Sequence, residues 1–404
     1  MKINKNNPKL QVSGSKFQES GIWKCCSLAV QRCTIDCDCD TDSDSDSDIN
    51  NSVCSWHRWT MEQDPRQINF AFMGFGHVGR AFARLLIDRR KWLLKEYGIE
   101  WKLTGIATKN HGTAIDHNGL PIKKILGSWK RHSSLDHFHN GPACDSHTDF
   151  IRQCGADILF EMSVLHLSGE PAATYIQEAL GAGLHVITTN KGPVATHFRQ
   201  LTGLARLRDV RFLYEGTVMD GAPVFNLVRQ TLPATRIRSL RGIFNSTTNY
   251  ILTQMEQGTS FEAALDFARN AGIAEADPTL DLEGWDSAVK LSILIQAMMG
   301  GHVKPKDIER NGITEETGRF VRAAVRRDRR LRLVARAYRQ GGRVIGKVEL
   351  QELEVFDPLA SIRGLSSILV LNTDTMRELA IVENNPSVDQ TAFALFSDLI
   401  SLLQ

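Results

Sequence analysis

The chain has 404 residues, a net charge of +2, 42% apolar residues and 23% charged residues, an ordinary composition for a globular protein large enough for two domains. So small a net charge argues against a nucleic-acid partner and against binding to an anionic membrane. No run of about eighteen apolar residues occurs, so the sequence predicts no membrane-spanning helix.

Residues 1–66 are predicted to be a disordered, low-complexity tail. Aspartates alternate with Cys, Thr and Ser between Asp36 and Asp48, and such a self-repelling stretch builds no core. A transit peptide is disfavoured because acidic residues are abundant, and a zinc site is disfavoured because the cysteine spacings fit no zinc motif. Met61 precedes the first predicted strand and is a candidate start of the native protein.

Cysteine usage indicates the compartment. Six of the eight cysteines precede residue 60, and only Cys144 and Cys154 lie in the long remainder. Two thiols in such a body fit a reducing environment without a disulfide framework, which predicts a cytoplasmic protein.

Strands and helices alternate between residues 67 and 215, which predicts an α/β fold with a Rossmann-type, doubly wound parallel sheet. The predicted strands are 68–73, 101–107, 157–160, 185–188 and 211–214. The predicted helices are 80–95, 172–182 and 194–208.

Residues 216–375 are predicted to form a second, α+β domain, and residues 376–404 a C-terminal segment that returns to the first. The predicted strands are 237–245, 331–338, 344–350, 368–371 and 378–382. The predicted helices are 249–256, 261–271, 286–299 and 391–403. The two longest strands are expected to pair as a hairpin across Gly341 and Gly342.

Ten arginines lie within residues 319–343. A nucleic-acid interface is the weaker interpretation because acidic residues elsewhere balance the charge. Alternation such as Leu331-Arg332-Leu333 instead predicts a strand whose arginines face water.

A glycine-rich loop follows the first predicted strand and begins a helix, the context of the dinucleotide-binding fingerprint. Its first glycine allows a tight turn, its second lets the backbone approach a pyrophosphate, and its third lets helix and strand pack closely. Free amides at the helix start would bind phosphate. The predicted cofactor contacts are Gly74, Phe75, Gly76, His77, Val78 and Gly79.

The end of the second predicted strand bears on cofactor choice. Thr108 and Lys109 stand where an acid usually binds the ribose 2′-hydroxyl. A hydroxyl beside a cation suits a 2′-phosphate, which favours NADP over NAD. Asp116 is an alternative source of the missing acid.

Residues 274–290 carry five carboxylates and one lysine, and an apolar helix follows. Charges at a buried helix are costly unless they pair or react, so this run is a candidate site. Asp286 and Lys290 share one helix face, for which a surface ion pair is the alternative interpretation. Lys191 ends a predicted strand at the edge where open sheets bind ligands, although a solvated lysine is an alternative there.

On these motifs the chain resembles the homoserine dehydrogenases over residues 68–404. The supporting runs are Asn245–Leu252, Ala274–Pro278, Asp281–Lys290, the glycine loop, Asn190-Lys191 and Glu215–Val218. The resemblance implies interconversion of L-aspartate 4-semialdehyde and L-homoserine with NADP or NAD, in the biosynthesis of threonine, methionine and isoleucine. It also implies a homodimer or homotetramer with a small-molecule substrate, whose second domain binds substrate and dimerises.

The resemblance further implies roles for individual residues. Lys290 matches the proton donor, Lys191 a second lysine near nicotinamide and substrate, and Asp286 the carboxylate beside the reacting oxygen. Glu275 and Asp281 match positions that bind the substrate amino group. Further cofactor contacts are implied at Ser163, Lys191 and Gly272. A sodium ion is implied at Glu215, Val218, Asp220 and Ala222.

The expected chemistry suits these residue types. Reducing an aldehyde builds negative charge on oxygen, which a lysine ammonium can stabilise and then protonate. A neighbouring cation is expected to depress the pKa of Lys290, and Asp286 is expected to oppose that change.

Two loops depart from the family pattern. Glu383–Gln390 lacks the family's glycines, and Glu383 is expected to repel a phosphate; Met219-Asp220 replaces small residues in the cation loop. No aspartokinase or ACT region is present, which predicts no feedback by threonine. The rival functions are a dehydrogenase of another small amino or hydroxy aldehyde and a catalytically silent dinucleotide-binding sensor.

Overall fold

The computed structural model describes residues 64–130 and 133–404, which belong to one compact unit, Thr60–Gln404. Of the predicted tail, residues 1–66, positions 1–63 lie outside the described residues, and so does Met61 as a candidate start, while a strand already begins at Arg66. Among the described helices, none has the length and apolar character needed to cross a membrane.

The first sheet, as far as the described residues show, has six strands. They are β1 (Arg66–Met73), β2 (Ile99–Ala107), β3 (Thr113–Ile115), β4 (Ile158–Glu161), β5 (His185–Thr188) and β6 (Phe212–Leu213). Their order is β3-β2-β1-β4-β5-β6, with parallel neighbours except β3, which is antiparallel to β2. Apolar runs such as Phe70–Met73 are buried on both faces, as a doubly wound sheet requires.

Helices cover both faces of this sheet. They are α1 (His77–Asp88), α2 (Arg90–Tyr97), α3 (Ile122–Ser128), α4 (His147–Gln153), α5 (Ala172–Gly181) and α6 (Lys191–Leu207). The prediction of one helix over residues 80–95 is wrong, because Arg89 has a ψ of 2° and separates α1 from α2. The strand order reverses between β1 and β4, which is the place where such sheets bind nucleotides.

The second sheet likewise has six strands within the described part. They are β7 (Ile237–Ile243), β8 (Glu309–Arg310), β9 (Arg329–Gln340), β10 (Arg343–Glu354), β11 (Ser367–Thr373) and β12 (Glu378–Glu383), in the order β12-β11-β7-β9-β10-β8. The predicted hairpin is confirmed, since β9 and β10 are joined by Gly341 and Gly342 with φ angles of 57° and 77°. Positive φ at both positions is what a tight two-residue hairpin turn demands.

Seven further α-helices are described from residue 224 onwards, and three of them pack on strands of the second sheet. They are α7 (Val224–Asn226), α8 (Ser246–Glu256), α9 (Phe261–Asn270), α10 (Thr279–Leu282), α11 (Trp285–Met298), α12 (Thr317–Arg326) and α13 (Val388–Leu403). The apolar α11 is buried against α6, β9 and β10, with Leu291, Ile293, Leu294 and Ile295 fully buried. The fold class predicted from the sequence, a Rossmann-type parallel sheet followed by an α+β part, is therefore confirmed.

The C-terminal helix α13 packs against α1 of the first sheet. Its Leu395 and Leu399 join the same buried cluster as Phe72 and Phe82. The preceding strand β12 pairs in the second sheet. The domain boundaries at residues 67, 216 and 376 stay predictions.

The prediction that the arginines of residues 319–343 face water is wrong for Arg332. Its side chain on β9 is fully buried and pairs with Glu256. Its guanidinium also donates to the carbonyl oxygens of Ile362 at 3.1 Å and Ala360 at 3.3 Å. The 3₁₀ turn Pro358–Ser361 covers this face of the strand, a contact that local alternation cannot reveal.

His185 at the start of β5 makes the stability depend on pH. Burial, Arg211 and Arg66 lower its pKa, and its Nδ1 accepts the Arg211 N–H at 3.0 Å. The neutral ring therefore stabilises the fold above the unfolded pKa of about 6.5, and this stabilisation is lost as pH falls through the lower folded value. We expect His185→Asn to reduce the loss of melting temperature on acidification from pH 7 to pH 5.

The exposed His302 provides the control for this measurement. His302→Asn should leave the pH dependence of the melting temperature as in the wild type. Equal slopes for His185→Asn and the wild type would contradict the assignment.

Candidate active site

A cavity of about 370 Å³ opens where the first sheet reverses its strand order, and we call it the glycine-loop cavity. Six of the predicted cofactor residues line it, namely Gly74, Phe75, Gly76, Thr108, Lys109 and Ser163. His77, Val78 and Gly79 form the first turn of α1 behind the loop. The cavity and the amides at the start of α1 fit the pyrophosphate and sugars of a dinucleotide.

The first glycine of the loop has no substitute. Gly74 has a φ of 99°, and a β-carbon there would clash with the carbonyl oxygen of Met162 after β4. In front of Gly76 no protein atom lies within 4 Å of the position of a β-carbon. The loop thus turns tightly beside β4 while its second glycine faces open space, as ligand approach requires.

An aromatic and cationic wall of the same cavity escaped the sequence analysis. The Arg80 guanidinium lies 5.7 Å from the ring centroid of Trp129, and His111 lies 4.7 Å from the same ring. Trp129 also packs edge-on against Phe75 at 4.8 Å. Arg80 directly follows the glycine loop, which is the signal that could have identified it.

A second cavity, of about 100 Å³, contains most of the predicted substrate and catalytic residues, and we call it the acid-lined cavity. It is lined by Lys191, Glu275, Asp277, Asp281 and Asp286, with the apolar side chains of Leu165, Leu167, Leu280 and Val289. The cavity joins the end of β5 to the start of α11. It therefore lies where the two halves of the chain meet.

Asp286 is the centre of this site. One carboxylate oxygen pairs with the ammonium of Lys191, and the other lies 3.2 Å from Nζ of Lys290. The side chains of Asp286 and Lys290 are only 9% and 16% exposed, so an ordinary surface ion pair is excluded. Lys290 also donates to the carbonyl oxygen of Phe244 at 2.6 Å.

The charges of this cluster stabilise one another. Burial alone would raise the pKa of Asp286, but Lys191 and Lys290 hold it well below its usual range. Burial alone would lower the pKa of Lys290, yet Asp286, with Asp220 contributing, raises it above the ordinary lysine value. Of the two opposing influences expected on the pKa of Lys290, the carboxylate is the stronger, and the Asp286–Lys290 pair is charged near neutral pH.

Asn245 is a site residue whose role the sequence did not reveal. Its amide nitrogen donates to Asp281 at 2.7 Å and to Asp286 at 3.0 Å, while its oxygen accepts the Thr248 N–H at 2.8 Å. It is the N-cap of α8, which begins at Ser246, three residues before the helix start predicted at residue 249. The side-chain NH₂ group of Asn245 thus holds the two like-charged carboxylates of Asp281 and Asp286 side by side.

The segment before α11 carries three of the acidic residues that line the acid-lined cavity, Glu275, Asp277 and Asp281. Gly284 has a φ of 79° and turns the chain into α11. Asp277, left without a role by the sequence, accepts the backbone N–H of Thr279 at 3.1 Å and its hydroxyl at 2.5 Å. Asp277 therefore shapes the loop, as Ser, Thr and Asp side chains commonly do.

Comparison with known proteins now decides the family. The family model described as homoserine dehydrogenase matches residues 223–400, and that of its NAD binding domain matches residues 74–215. The chain is 35% identical over 337 residues to the homoserine dehydrogenase of Methanocaldococcus jannaschii, covering 83% of this chain and 98% of the relative. The chain belongs to the homoserine dehydrogenase family.

Other members support the same conclusion. The NAD(+)-dependent homoserine dehydrogenase of Pseudomonas canavaninivorans is 34% identical, with 84% of this chain and 97% of the relative covered. A crystal structure of a putative homoserine dehydrogenase from Archaeoglobus fulgidus superposes with a TM-score of 0.72 at 32% identity, covering 83% and 99% of the two chains. The sequence resemblance to homoserine dehydrogenases is thus confirmed.

Two residues that the resemblance implies as cofactor contacts, Gly272 and Lys191, do not line the glycine-loop cavity. Gly272 is exposed, has a φ of 70° and donates its N–H to Arg269 at the end of α9. It directly follows the C-cap Ala271 of α9, a position where glycine readily adopts the left-handed conformation. Lys191 lines the acid-lined cavity, so the glycine-loop cavity does not include it.

The resemblance implies a cation loop over residues 215–222. The buried carboxylate of Glu215 accepts the N–H groups of Phe225 and Asn226, both at 2.7 Å. The Asp220 carboxylate accepts the Thr391 hydroxyl at 3.0 Å. Across residues 64–130 and 133–404, no group of three or more His, Cys, Asp or Glu side chains is placed to hold a metal ion.

Glu383, which departs from the family pattern, lies against this loop. It is buried at the end of β12 and accepts the Gly221 N–H at 3.0 Å. Burial, with the charge of Asp220 adding to it, raises the pKa of Glu383 to about 7. Its position beside the cation loop does not favour the expected repulsion of a phosphate in the glycine-loop cavity.

Proposed function

We propose that this protein interconverts L-aspartate 4-semialdehyde and L-homoserine with NADP or NAD, in the biosynthesis of threonine, methionine and isoleucine. The family is that of NAD(P)-dependent oxidoreductases of this type. The observation that carries the proposal is the contact of Asp286 with both Lys191 and Lys290 in and behind the acid-lined cavity.

The lysines supply the acid–base chemistry. When bound, the nicotinamide cofactor supplies the hydride to the aldehyde carbon. The ammonium groups of Lys191 and Lys290 stabilise the negative charge that builds on the aldehyde oxygen, and Lys290 donates the proton. Asp286 keeps Lys290 charged and fixes the separation of the two ammonium groups, so little reorganisation is needed during the reaction.

The carboxylates select the substrate. Glu275 and Asp281 bind its α-amino group, and Asn245 holds Asp281 in place. A cavity of about 100 Å³ suits a small substrate. An aldehyde without the amino group would leave these acids without their cation, which is costly in a site built for polar contacts.

A substrate panel tests the proposal against the rival dehydrogenase. We expect kcat/KM for aspartate 4-semialdehyde to exceed that for succinate semialdehyde, which lacks the amino group, by about 100-fold or more. The measurement is aldehyde-dependent loss of reduced-nicotinamide absorbance. Equal values, or preference for another aldehyde, would support the rival.

Cofactor choice is proposed to favour NADP through Lys109. The Thr108 hydroxyl donates to the Gly112 carbonyl at 3.0 Å and accepts the His111 N–H at 2.9 Å, so it mainly shapes the loop. Lys109 and Arg80 are the cations of the glycine-loop cavity. Asp116 accepts the Asn118 N–H in a turn after β3 and is not among the cavity residues, which weakens the case for NAD.

Lys109→Ala tests this preference. Because charge-assisted hydrogen bonds contribute about 1.5–3 kcal/mol, the variant should bind NADPH roughly ten- to a hundredfold more weakly and NADH unchanged. Equilibrium binding followed by nicotinamide fluorescence measures both, with exposed Lys95→Ala as the control. Equal losses for both cofactors, or no loss, would contradict an NADP preference.

A monovalent cation such as sodium is proposed at Glu215, Val218, Asp220 and Ala222. The oxygen-only donor set suits a hard cation. Burial, with the neighbouring Asp398 adding to it, raises the pKa of Glu215 to about 7, and a bound cation would favour the ionised carboxylate. The cation would steady the loop that lies beside Lys290 and would take no part in proton transfer.

A homodimer, or a tetramer built from it, is proposed to form through the open face of the second sheet. Helices α8, α11 and α12 cover the opposite face. The open face carries Arg241, Arg336, Tyr338 and Glu378 around a groove of about 410 Å³. Mixed charge suits a self-complementary contact with a second copy. Light scattering giving the monomer mass would contradict it.

A reducing, cytoplasmic setting is also proposed. It rests on the thiols Cys144 and Cys154, which are both free in the described part of the chain.

A further inference from the structure

We propose that Glu161 is a positioning residue, a single buried carboxylate that holds together the two walls of the crevice where the cofactor and Lys191 meet. This inference rests on the proposed function and extends it to a residue that touches neither substrate nor cofactor. No sequence motif indicates a role for Glu161.

The Glu161 carboxylate is fully buried, and both of its oxygens accept hydrogen bonds. Glu161 ends β4, and one oxygen accepts both the backbone N–H of Ser163, at 2.9 Å, and the Ser163 hydroxyl. The other oxygen accepts the Thr188 hydroxyl at 2.7 Å. Burial raises the pKa of Glu161, and the hydrogen bonds from Ser163 and Thr188 oppose that rise. Three donors aimed at one group suit an acceptor-only carboxylate.

The first wall is the loop after β4. Ser163 lines the glycine-loop cavity, and Glu161 takes both its N–H and its hydroxyl proton. The hydroxyl oxygen of Ser163 is thereby left as an acceptor toward the cavity. Glu161 thus fixes both the place and the polarity of this wall.

The second wall is the end of β5. The Thr188 hydroxyl oxygen accepts the Asn190 N–H at 2.9 Å, and the Asn190 side chain caps α6 by accepting the Gly192 N–H at 3.2 Å. Lys191 lies between these two residues. The Asn190 amide also reaches back to the Ser163 carbonyl at 3.4 Å, which closes the network between the walls.

A carboxylate is needed because an amide cannot replace both of its oxygens. In Glu161→Gln the NH₂ group must face either the Ser163 N–H or the Thr188 hydroxyl. Facing Thr188 avoids two opposed N–H groups but leaves the hydroxyl proton without an acceptor. The disturbance then passes through Asn190 to Lys191 while every group that touches the substrate keeps its identity.

Glu161→Gln tests the proposal. Small misplacement of a catalytic group is costly, so we expect kcat to fall roughly 10- to 100-fold while KM for the aldehyde stays near the wild-type value. NADPH affinity should fall about fivefold, because a neutral amide oxygen holds the Ser163 N–H and hydroxyl more weakly than the carboxylate does. Thr188→Val should reproduce the kcat loss with NADPH affinity retained, and the double variant should be little worse than Glu161→Gln.

Glu256→Gln is the matched control, since Glu256 is another buried acid, paired with Arg332 away from both cavities. It should lower the melting temperature and leave kcat within about twofold of the wild type. A Glu161→Gln variant that loses melting temperature but keeps kcat, or additive losses in the double variant, would overturn the proposal.

Failure of the proposed function would be seen separately, as a wild-type enzyme without aldehyde turnover. NADPH binding then decides the inference alone. Weaker NADPH binding by Glu161→Gln than by Thr188→Val supports it, and equal binding overturns it.

Discussion

Asp286→Asn is expected to lower kcat by about 10³-fold, within the range of 10²- to 10⁴-fold found for acid–base groups. The amide has no charge to balance the two ammonium groups that Asp286 binds. Lys290 then remains buried without a counter-ion, and its pKa falls, so the proton donor is partly lost. Steady-state assays at saturating aldehyde and cofactor measure the effect.

The same substitution should also lower stability. Removing one partner of a buried ion cluster costs about 3–5 kcal/mol. Because the pKa of Asp286 is lowered in the folded state, its stabilisation is present above the unfolded value of about 4 and is lost as pH falls below it. The melting temperature of the variant should therefore vary less with pH in the acid range than that of the wild type.

Asp266 provides the control, because it pairs with Arg269 at 3.5 Å on the exposed face of α9. Asp266→Asn should change stability by about 0.5 kcal/mol or less and leave kcat unaltered. Wild-type turnover by Asp286→Asn would refute the role given to the ion cluster.

Lys290→Ala is expected to lower kcat by about 10²- to 10⁴-fold and to leave NADPH affinity within about twofold. Lys290 contacts Asp286 and the Phe244 carbonyl, and it is not among the residues of the glycine-loop cavity. Lys290→Arg should remain impaired, because a guanidinium of very high pKa keeps its charge but does not release the proton. Steady-state assays measure kcat, and equilibrium binding measures the affinity for NADPH separately.

Lys347 is the matched control, a lysine of β10 that pairs with Glu309 at 2.6 Å. Lys347→Ala should keep both kcat and cofactor affinity. Turnover by Lys290→Ala at the wild-type rate would show that Lys290 is not the proton donor. If Lys290→Ala binds the cofactor as tightly as the wild type but has lost the turnover that the wild type shows, a catalytically silent sensor is excluded.

The regular elements of the fold could be predicted where burial is set locally. The strand predicted at residues 185–188 is β5, because a short apolar run between turn residues has few alternatives. Arg332 was misplaced because a turn about thirty residues later, Pro358–Ser361, covers its face of β9. The break at Arg89 was missed because apolar periodicity continues across it.

The sequence predicted individual residues of the site better than it predicted the contacts between them. Lys191 and Asp286 are 95 residues apart, and only the packing of α6 on α11 brings them into contact. The resemblance suggested both residues, but residue patterns alone gave two separate candidates. Asn245 was missed because its partners Asp281 and Asp286 lie 36 and 41 residues away.

Aldehyde reduction by this protein can be measured as the steady-state rate at which the purified wild type oxidises NADPH or NADH in the presence of L-aspartate 4-semialdehyde. We expect saturable turnover, with kcat of roughly 1–10³ s⁻¹ and a lower KM for NADPH than for NADH. A folded protein that binds the reduced cofactor but consumes none of it above the aldehyde-free rate would contradict the proposed function.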